Sequence, residues 1–302
     1  MIEKTDGLEP GLYEKIDEEI YHGMAGCSQS RLKTILNWSP AHLAYAIKNP
    51  GEDTTEAKYL GTAIHKALLE PDLFNQTYAV AGPCAGTTAK GQPCGNTGKV
   101  RSGGLWFCGK HPQEYADDIL QLNQAQWDAC LGIRDNAYSR TRSRALLECG
   151  SRKELTAVWT DEETGIVCRA RYDILSDDGY IIGDLKSTQS AEDRAFSNSI
   201  YRFAYYLQAA WYLWGARVLG LPSDIFAILA VEKKPPYECQ VFEVHGEVIE
   251  AGEKEMRPLL RRYAECLEKN EWPGYPDKAI PVSLPPWSWK QIEARAFEAE
   301  VE

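Results

Sequence analysis

Two aspartates and a lysine are spaced so that together they could hydrolyse a phosphodiester. Asp173 closes the segment Cys168-Arg-Ala-Arg-Tyr-Asp173, and Asp184 and Lys186 close Tyr180-Ile-Ile-Gly-Asp-Leu-Lys186. That reaction needs a cation to polarise the phosphate and lower the pKa of an attacking water, and groups that hold the water and offset developing charge. Mg²⁺ takes oxygen ligands and commonly only one or two carboxylates from the protein. Residues two apart on a strand point the same way, so Asp184 and Lys186 share a face. A hairpin through Ser176-Asp-Asp-Gly-Tyr180 brings Asp173 back beside Asp184. A cation there is expected to be held by Asp173, Asp184 and the backbone carbonyl of Leu185, with Lys186 orienting or deprotonating the water. The alternative is a set of solvated hairpin charges. The apolar run before Asp184 speaks for a central strand instead, where charges need partners.

The nine cysteines raise a second possibility. In a cytosolic chain they suggest thiols and metal ligands before disulfides. Cys27, Cys130, Cys149, Cys168, Cys239 and Cys266 are scattered, mostly among apolar neighbours, and read as small core residues. Cys84, Cys94 and Cys108 differ, because His111 follows Cys108 in a C-x-x-H pattern and the first two close a glycine-containing loop. Three thiolates and an imidazole give Zn²⁺ a closed tetrahedral shell. With only Leu105, Trp106 and Phe107 as an apolar nucleus, this segment cannot hold itself together by burial, so a metal clip is physically sensible. A flexible loop with incidental cysteines is the alternative. Lys90, Lys99, Arg101 and Lys110 make the segment locally basic, which suggests a DNA contact.

The elements that must position these residues follow from periodicity. Residues 28–49 predict two short helices, with Ser28 as N-cap and a restart at Ser39-Pro40. A third helix runs from Glu56 until Pro71 stops it. Residues 81–112 look inserted, and an amphipathic stretch covers roughly 113–148. Period-two alternation from Lys153 to Lys186, with turns at Asp161–Gly165 and Asp177–Gly179, predicts a three-stranded meander. An aromatic-rich helix over 197–220, two strands, a helix over about 247–269 and a wrapping proline-rich segment at 273–287 complete the chain. No internal repeat is present. This order predicts an α/β fold with a central mixed sheet flanked by helices. It divides into an N-terminal helical part (1–80), an inserted Cys3His zinc-binding segment (81–112), the core (113–272) and a tail (273–302).

Composition bounds the function classes. The chain has 302 residues, 44% hydrophobic and 25% charged, with nine Trp and sixteen Tyr, which excludes intrinsic disorder. No apolar run approaches the ~20 residues that span a bilayer, and the acidic N-terminus is unlike a signal peptide, so a cytoplasmic location and no membrane partner are expected. A net charge of −11 is unfavourable for phosphate binding in bulk. A cation site concentrates carboxylates, however, and much of the acidity is terminal, so local patches decide: Arg169 and Arg171 beside the proposed site, or Arg31 and Lys33.

An Asp one hairpin before an apolar strand ending in D-x-K resembles the signature of the PD-(D/E)XK nuclease superfamily, with Tyr172 where Pro is frequent. Gln208-Ala-Ala-Trp-Tyr212 resembles the Q-x-x-x-Y motif of the RecB-like branch. Gly61-Thr-Ala-Ile-His65 with Leu68-Leu-Glu-Pro71, and Glu154 in Lys153-Glu-Leu-Thr-Ala-Val-Trp159, resemble the exodeoxyribonuclease VIII (RecE-type) recombination exonucleases. These matches run from about Ser28 to Gly215 without the inserted segment. The resemblance implies a restriction-endonuclease-like core and a phage- or prophage-type exonuclease that uses Mg²⁺ or Mn²⁺. It implies that His65 and Glu154 help bind metal or position water, and that Gln208 and Tyr212 hold the DNA backbone; Arg169 and Arg171 are expected as further DNA contacts from their charge beside the site alone. It also implies 5′-to-3′ degradation of duplex DNA ends to 3′ single strands for an annealing protein, by a ring-like trimer or tetramer. Two alternatives are a nuclease of the Cas4 or repair type acting on single strands or flaps, and an inactive DNA-binding protein with the same fold. Some RecB-like nucleases hold an iron–sulfur cluster, but its cysteines bracket the nuclease motifs. Here the cluster precedes them and includes a histidine, which favours zinc.

Overall fold

The computed structural model describes residues 9–14, 16, 18–49, 55–111, 113 and 116–301. Residues 1–8 of the acidic N-terminal stretch and Pro112, the expected end of the insert, lie outside them. The first part of the chain forms β1 (Gly11–Tyr13), α1 (Glu18–Gly23), β2 (Cys27–Ser28), α2 (Gln29–Asn37), α3 (Pro40–Lys48), α4 (Glu56–Leu69) and α5 (Pro71–Thr77). Ser28 does precede α2, but its hydroxyl pairs with that of Ser30 instead of capping a backbone amide. Ser39 caps α3, and Thr55 caps α4, each through its side-chain oxygen. Pro71 ends α4 and at once opens α5, since proline suits the first turn of a helix as well as it disrupts an interior.

The insert is carried on a stem of two parallel strands, β3 (Tyr78–Val80) and β6 (Leu120–Leu122), and contains its own hairpin, β4 (Val100–Ser102) and β5 (Leu105–Phe107). The stretch expected as one amphipathic unit therefore gives its first residues to the stem. Its remainder forms α6 (Gln124–Ser139), opened by a full capping box of Asn123 and Gln126, and α7 (Thr141–Glu148). Then come β7 (Lys153–Thr160), β8 (Val167–Leu175), β9 (Ile181–Thr188), α8 (Asp193–Arg202), α9 (Tyr205–Val218), β10 (Ile225–Glu232), β11 (Cys239–Glu243), α10 (Gly246–Lys269) and α11 (Pro286–Val301). The aromatic stretch is thus two helices, broken where Ala204 turns left-handed at φ 51°. The wrapping tail is real only at its start, where the Pro273 carbonyl accepts the Ala41 N–H; residues 276–286 are exposed, and α11 was not expected.

The strands build one mixed seven-stranded sheet in the order β1-β7-β8-β9-β10-β11, with β2 added beside β8. The predicted meander β7-β8-β9 is antiparallel, and α8 and α9 form the crossover that sets β10 parallel to β9. Helices cover both faces. On one, α2, α9 and α10 enclose a core that includes Trp159, Trp211, Tyr172 and Tyr263; on the other, α4 to α7 enclose Ile64, Phe74, Ile133 and Leu185. The α9–α10 contact is close enough that a Cβ on Gly252 would lie 2.4 Å from the Tyr206 carbonyl oxygen. No helix among the described residues is long and apolar enough to cross a membrane.

One irregularity shapes the centre of this sheet. β8 and β9 pair only at Ile174–Gly183 and Leu175–Ile182, after which they part and β2 takes the freed edge of β8 at Cys168 and Arg169. The strand's alternation slips at the same place: Cys168, Ala170, Tyr172 and Leu175 enter one core, and Ile174 enters the other. Opposite Asp173, between the pairs Lys153–Ile174 and Leu155–Tyr172, Glu154 sits at φ 52°. That region costs a non-glycine residue on the order of 1–3 kcal/mol, and such strain gathers at functional sites.

Candidate active site

The fork between β8 and β9 brings together Asp173 and Asp184. Asp173 Oδ2 accepts the Leu185 N–H at 2.7 Å. A residue in an extended strand directs its N–H and C=O to the same edge, so the Leu185 carbonyl is turned towards the fork as well. Lys186 places Nζ 2.6 Å from Asp184 Oδ2. This is an ion contact, because that buried oxygen accepts no well-formed hydrogen bond. α4 lies along β9 with Gly61 near Ser187, and one turn later His65 sets Nδ1 3.6 Å from Asp173 Oδ2. The strained backbone of Glu154 brings its carboxylate to the same point. His65, Glu154 and Asp173 each offer one donor atom, all within 4.8 Å of one another. Two carboxylates and an imidazole suit a divalent cation. Asp184 does not join that trio directly; its Oδ2 faces the Lys186 ammonium instead.

Burial dominates the electrostatics. It raises the Asp173 carboxyl above its ordinary value, against the pull of Lys186, the Leu185 N–H and Arg171. It raises Asp184 to about 6, where Lys186 opposes the shift and the Asp173 charge adds to it. For Lys186 burial acts downward, but Asp184 and Asp173 outweigh it and the ammonium is held more firmly than usual. The site therefore carries excess negative potential that a cation would relieve.

The four residues expected to touch DNA all have partners within the protein. Gln208, one turn into α9, donates its amide to Asp184 Oδ1 at 2.6 Å. Tyr212 packs against Tyr172 and Phe226, and its carbonyl accepts the Tyr172 hydroxyl. Arg169 is buried beneath Tyr21 and donates to the Tyr21 carbonyl. Arg171, half-buried, also lies over the Tyr21 ring, 4.1 Å from its centroid, and donates to the Ile16 carbonyl. The two arginines share one face of the strand, opposite Ala170 and Tyr172, and hold the N-terminal segment to the sheet.

The profile of the PDDEXK-like domain of unknown function DUF3799 matches residues 28–280. The chain belongs to this family. Its structure is similar to the crystal structure of a Eubacterium rectale protein named provisionally as an exonuclease, with a TM-score of 0.58 at 13% identity over 90% of this chain and 97% of that one. A search of curated proteins gives no match. At that identity the likeness speaks for the fold alone, which is the PDDEXK-like α/β core expected from the motifs.

The insert of this PDDEXK-like chain gathers the second cluster as expected. Cys84, Cys94, Cys108 and His111 bring their donor atoms within 4.8 Å of one another. Cys94 and Cys108 sulfurs are 3.8 Å apart, and His111 Nδ1 is 3.3 Å from Cys84 and 3.4 Å from Cys108. A tetrahedron with metal–sulfur bonds of about 2.3 Å and metal–nitrogen bonds of about 2.0–2.1 Å has edges of roughly 3.8 and 3.5 Å. The donors thus fit a tetrahedral ion. Their outer partners agree: His111 Nε2 bonds the Thr87 carbonyl at 2.8 Å, which leaves Nδ1 as ligand, and Cys84 Sγ accepts the Gly86 and Cys108 N–H groups. The Asn96 amide, followed by smaller contributions from His111 and neighbours, pulls the Cys108 thiol down to about 6.

Two further side chains join the site: Tyr205, which no motif announces, and Lys33, expected only as part of a local basic patch. Tyr205 lies over Lys186, and Lys33 of α2 reaches the same ring. The spacing Tyr205, Gln208, Tyr212 is a helical stripe, so one face of α9 could have been read as belonging to the site.

Proposed function

We propose that the chain is a metal-dependent deoxyribonuclease, acting as a 5′-to-3′ exonuclease on double-stranded DNA ends and leaving 3′ single strands for recombination by strand annealing. The observation that carries this reading is the fork that joins Asp173, Glu154 and His65 beside the Asp184–Lys186 pair. His65, Glu154 and Asp173, with Asp184 and the Leu185 carbonyl, would hold Mg²⁺ or Mn²⁺, which polarises the scissile phosphate and acidifies a bound water. Lys186 orients that water and balances charge on the phosphate. Gln208 fixes the rotamer of Asp184, and Tyr212 braces α9 against β8 and β10; both act as positioning residues. Zn²⁺ in the Cys84, Cys94, Cys108 and His111 set is structural, and the basic insert lies against DNA. A ring-like trimer or tetramer and a single-strand annealing protein complete the proposed assembly.

The test is linear duplex labelled at one end, with and without a 5′ phosphate, incubated with Mg²⁺, Mn²⁺ or EDTA. Stepwise loss from the 5′ end, absent in EDTA, is expected. Asp184→Ala and Lys186→Ala should each lower the rate by at least roughly 100-fold while retaining the fold. Full activity in either variant would overturn the assignment of the site.

A further inference from the structure

Next to the carboxylates lies a group of side chains that the hydrolytic chemistry leaves unused. Tyr205, half-buried at the start of α9, has its ring centroid 5.2 Å from Lys186 Nζ and 6.0 Å from Lys33 Nζ. Two ammonium groups thus converge on one ring, and Lys33 has no ion pair of its own among the described residues. Phe203 extends the series outward: its centroid is 5.7 Å from that of Tyr205 with 33° between the planes, and it is 42% exposed. Ala204 between the two rings holds φ 51° and ψ 44°, a left-handed conformation that an alanine adopts only when its surroundings impose it. The break between α8 and α9 therefore has a consequence. It leaves the Phe203 ring, with the Arg202 guanidinium 5.5 Å from its centroid, partly open to solvent within one ring contact of the Lys186 ammonium.

We propose that Lys33, Tyr205 and Phe203 form a nucleotide-positioning subsite, in which an unstacked terminal nucleotide lays its base on the Phe203–Tyr205 rings while its phosphate takes Lys33. Flat aromatic faces beside a free cation are what single-stranded nucleic acid recognises, because every base has a π-face and every nucleotide a charge. A purely electrostatic groove would need no exposed ring; a purely apolar docking surface would not place two ammonium groups on one. The inference rests on the nuclease reading and adds to it that the end is presented frayed, with its last base lifted out of the stack. The next phosphodiester then lies over Asp173, Asp184 and Lys186.

Binding is measured by fluorescence anisotropy on the full chain in Ca²⁺, using a duplex with two unpaired terminal nucleotides and the same duplex fully paired. Phe203→Ala should weaken binding of the frayed end about ten-fold, the worth of stacking one base, and leave the paired end within about two-fold. Phe203→Tyr should restore it. Lys33→Met should weaken both ends and lower the slope of log affinity against log salt by about 1. If Phe203→Ala and Lys33→Met bind the frayed end as the wild type does, the subsite is overturned, whether or not the chain cleaves DNA. If those effects appear in a chain that cleaves nothing with Mg²⁺ or Mn²⁺, the subsite stands and the nuclease reading falls. A wild-type chain that binds neither end removes both.

Discussion

Asp184 is the side chain on which the site's electrostatics turn. It is 1% exposed, its Oδ1 is satisfied by Gln208, and among the described residues its Oδ2 meets the Lys186 ammonium. Replacing Gln208 by Leu leaves a buried carboxylate short of a partner, which costs about 1–3 kcal/mol. The expected outcome is a lower melting temperature and a 10- to 100-fold slower cleavage rate with little change in DNA affinity. A change confined to affinity would instead make Gln208 a DNA contact. The raised Asp184 carboxyl also sets a pH dependence. Its folded value of about 6 exceeds the unfolded value near 3.9, so folding takes up a proton there. The stability from this group is complete below about pH 4 and is lost as pH rises through about 6. A divalent cation competes with that proton, so Mn²⁺ should raise the melting temperature more at pH 8 than at pH 5. Equal shifts at both values would show that the ion binds elsewhere.

At the level of elements, the site depends on how closely helices can approach the sheet and each other. α9 carries Gln208, Tyr205 and Tyr212 on one face and packs α10 on another, where Gly252 allows the Tyr206 carbonyl to come near. Gly252→Ala forces a Cβ to within 2.4 Å of that oxygen and 2.8 Å of the Ala210 Cβ. A rigid backbone contact cannot yield as a flexible side chain can, so a loss of about 1–3 kcal/mol is expected on chemical denaturation, with reduced activity because α9 shifts. The splayed pair β8–β9 is the other decisive element. The meander, the α9 stripe and the central strand were legible because their periods of two and 3.6 are written in residue type. The division of the aromatic stretch at Ala204 was not, because nothing in an alanine signals a left-handed turn.

Across the whole molecule, the insert is separate from the two cores. Its cysteines form a cluster of their own, which shares no residue with either helix-covered face. Chelating the insert's ion, or Cys108→Ser, should therefore remove one equivalent of bound zinc and alter the fluorescence of buried Trp106, while the core melts cooperatively at nearly its original temperature. Collapse of the entire fold on chelation would mean that the metal organises more than the insert. The net charge of −11 finds its place at this scale too. Under the proposed nuclease reading, carboxylates that would gather round a cation are compatible with DNA binding because lysines such as Lys33 and Lys186 stand beside the site.

The sequence by itself determined the α/β class, the fork residues Asp173, Asp184 and Lys186, and the Cys3His cluster, because each rests on spacing along one strand, one hairpin or one loop. His65, Glu154 and Gln208 needed a likeness to other sequences to be singled out, since they lie on different elements. Only the tertiary structure decided what those elements do to one another. It aimed Gln208 at Asp184, used Arg169 and Arg171 to hold the N-terminal segment, forced Glu154 into a left-handed backbone, and set Lys33 and Tyr205 beside Lys186. Side-chain direction on one element is local, but which side chains meet depends on packing between residues far apart in the chain, and no local period records it.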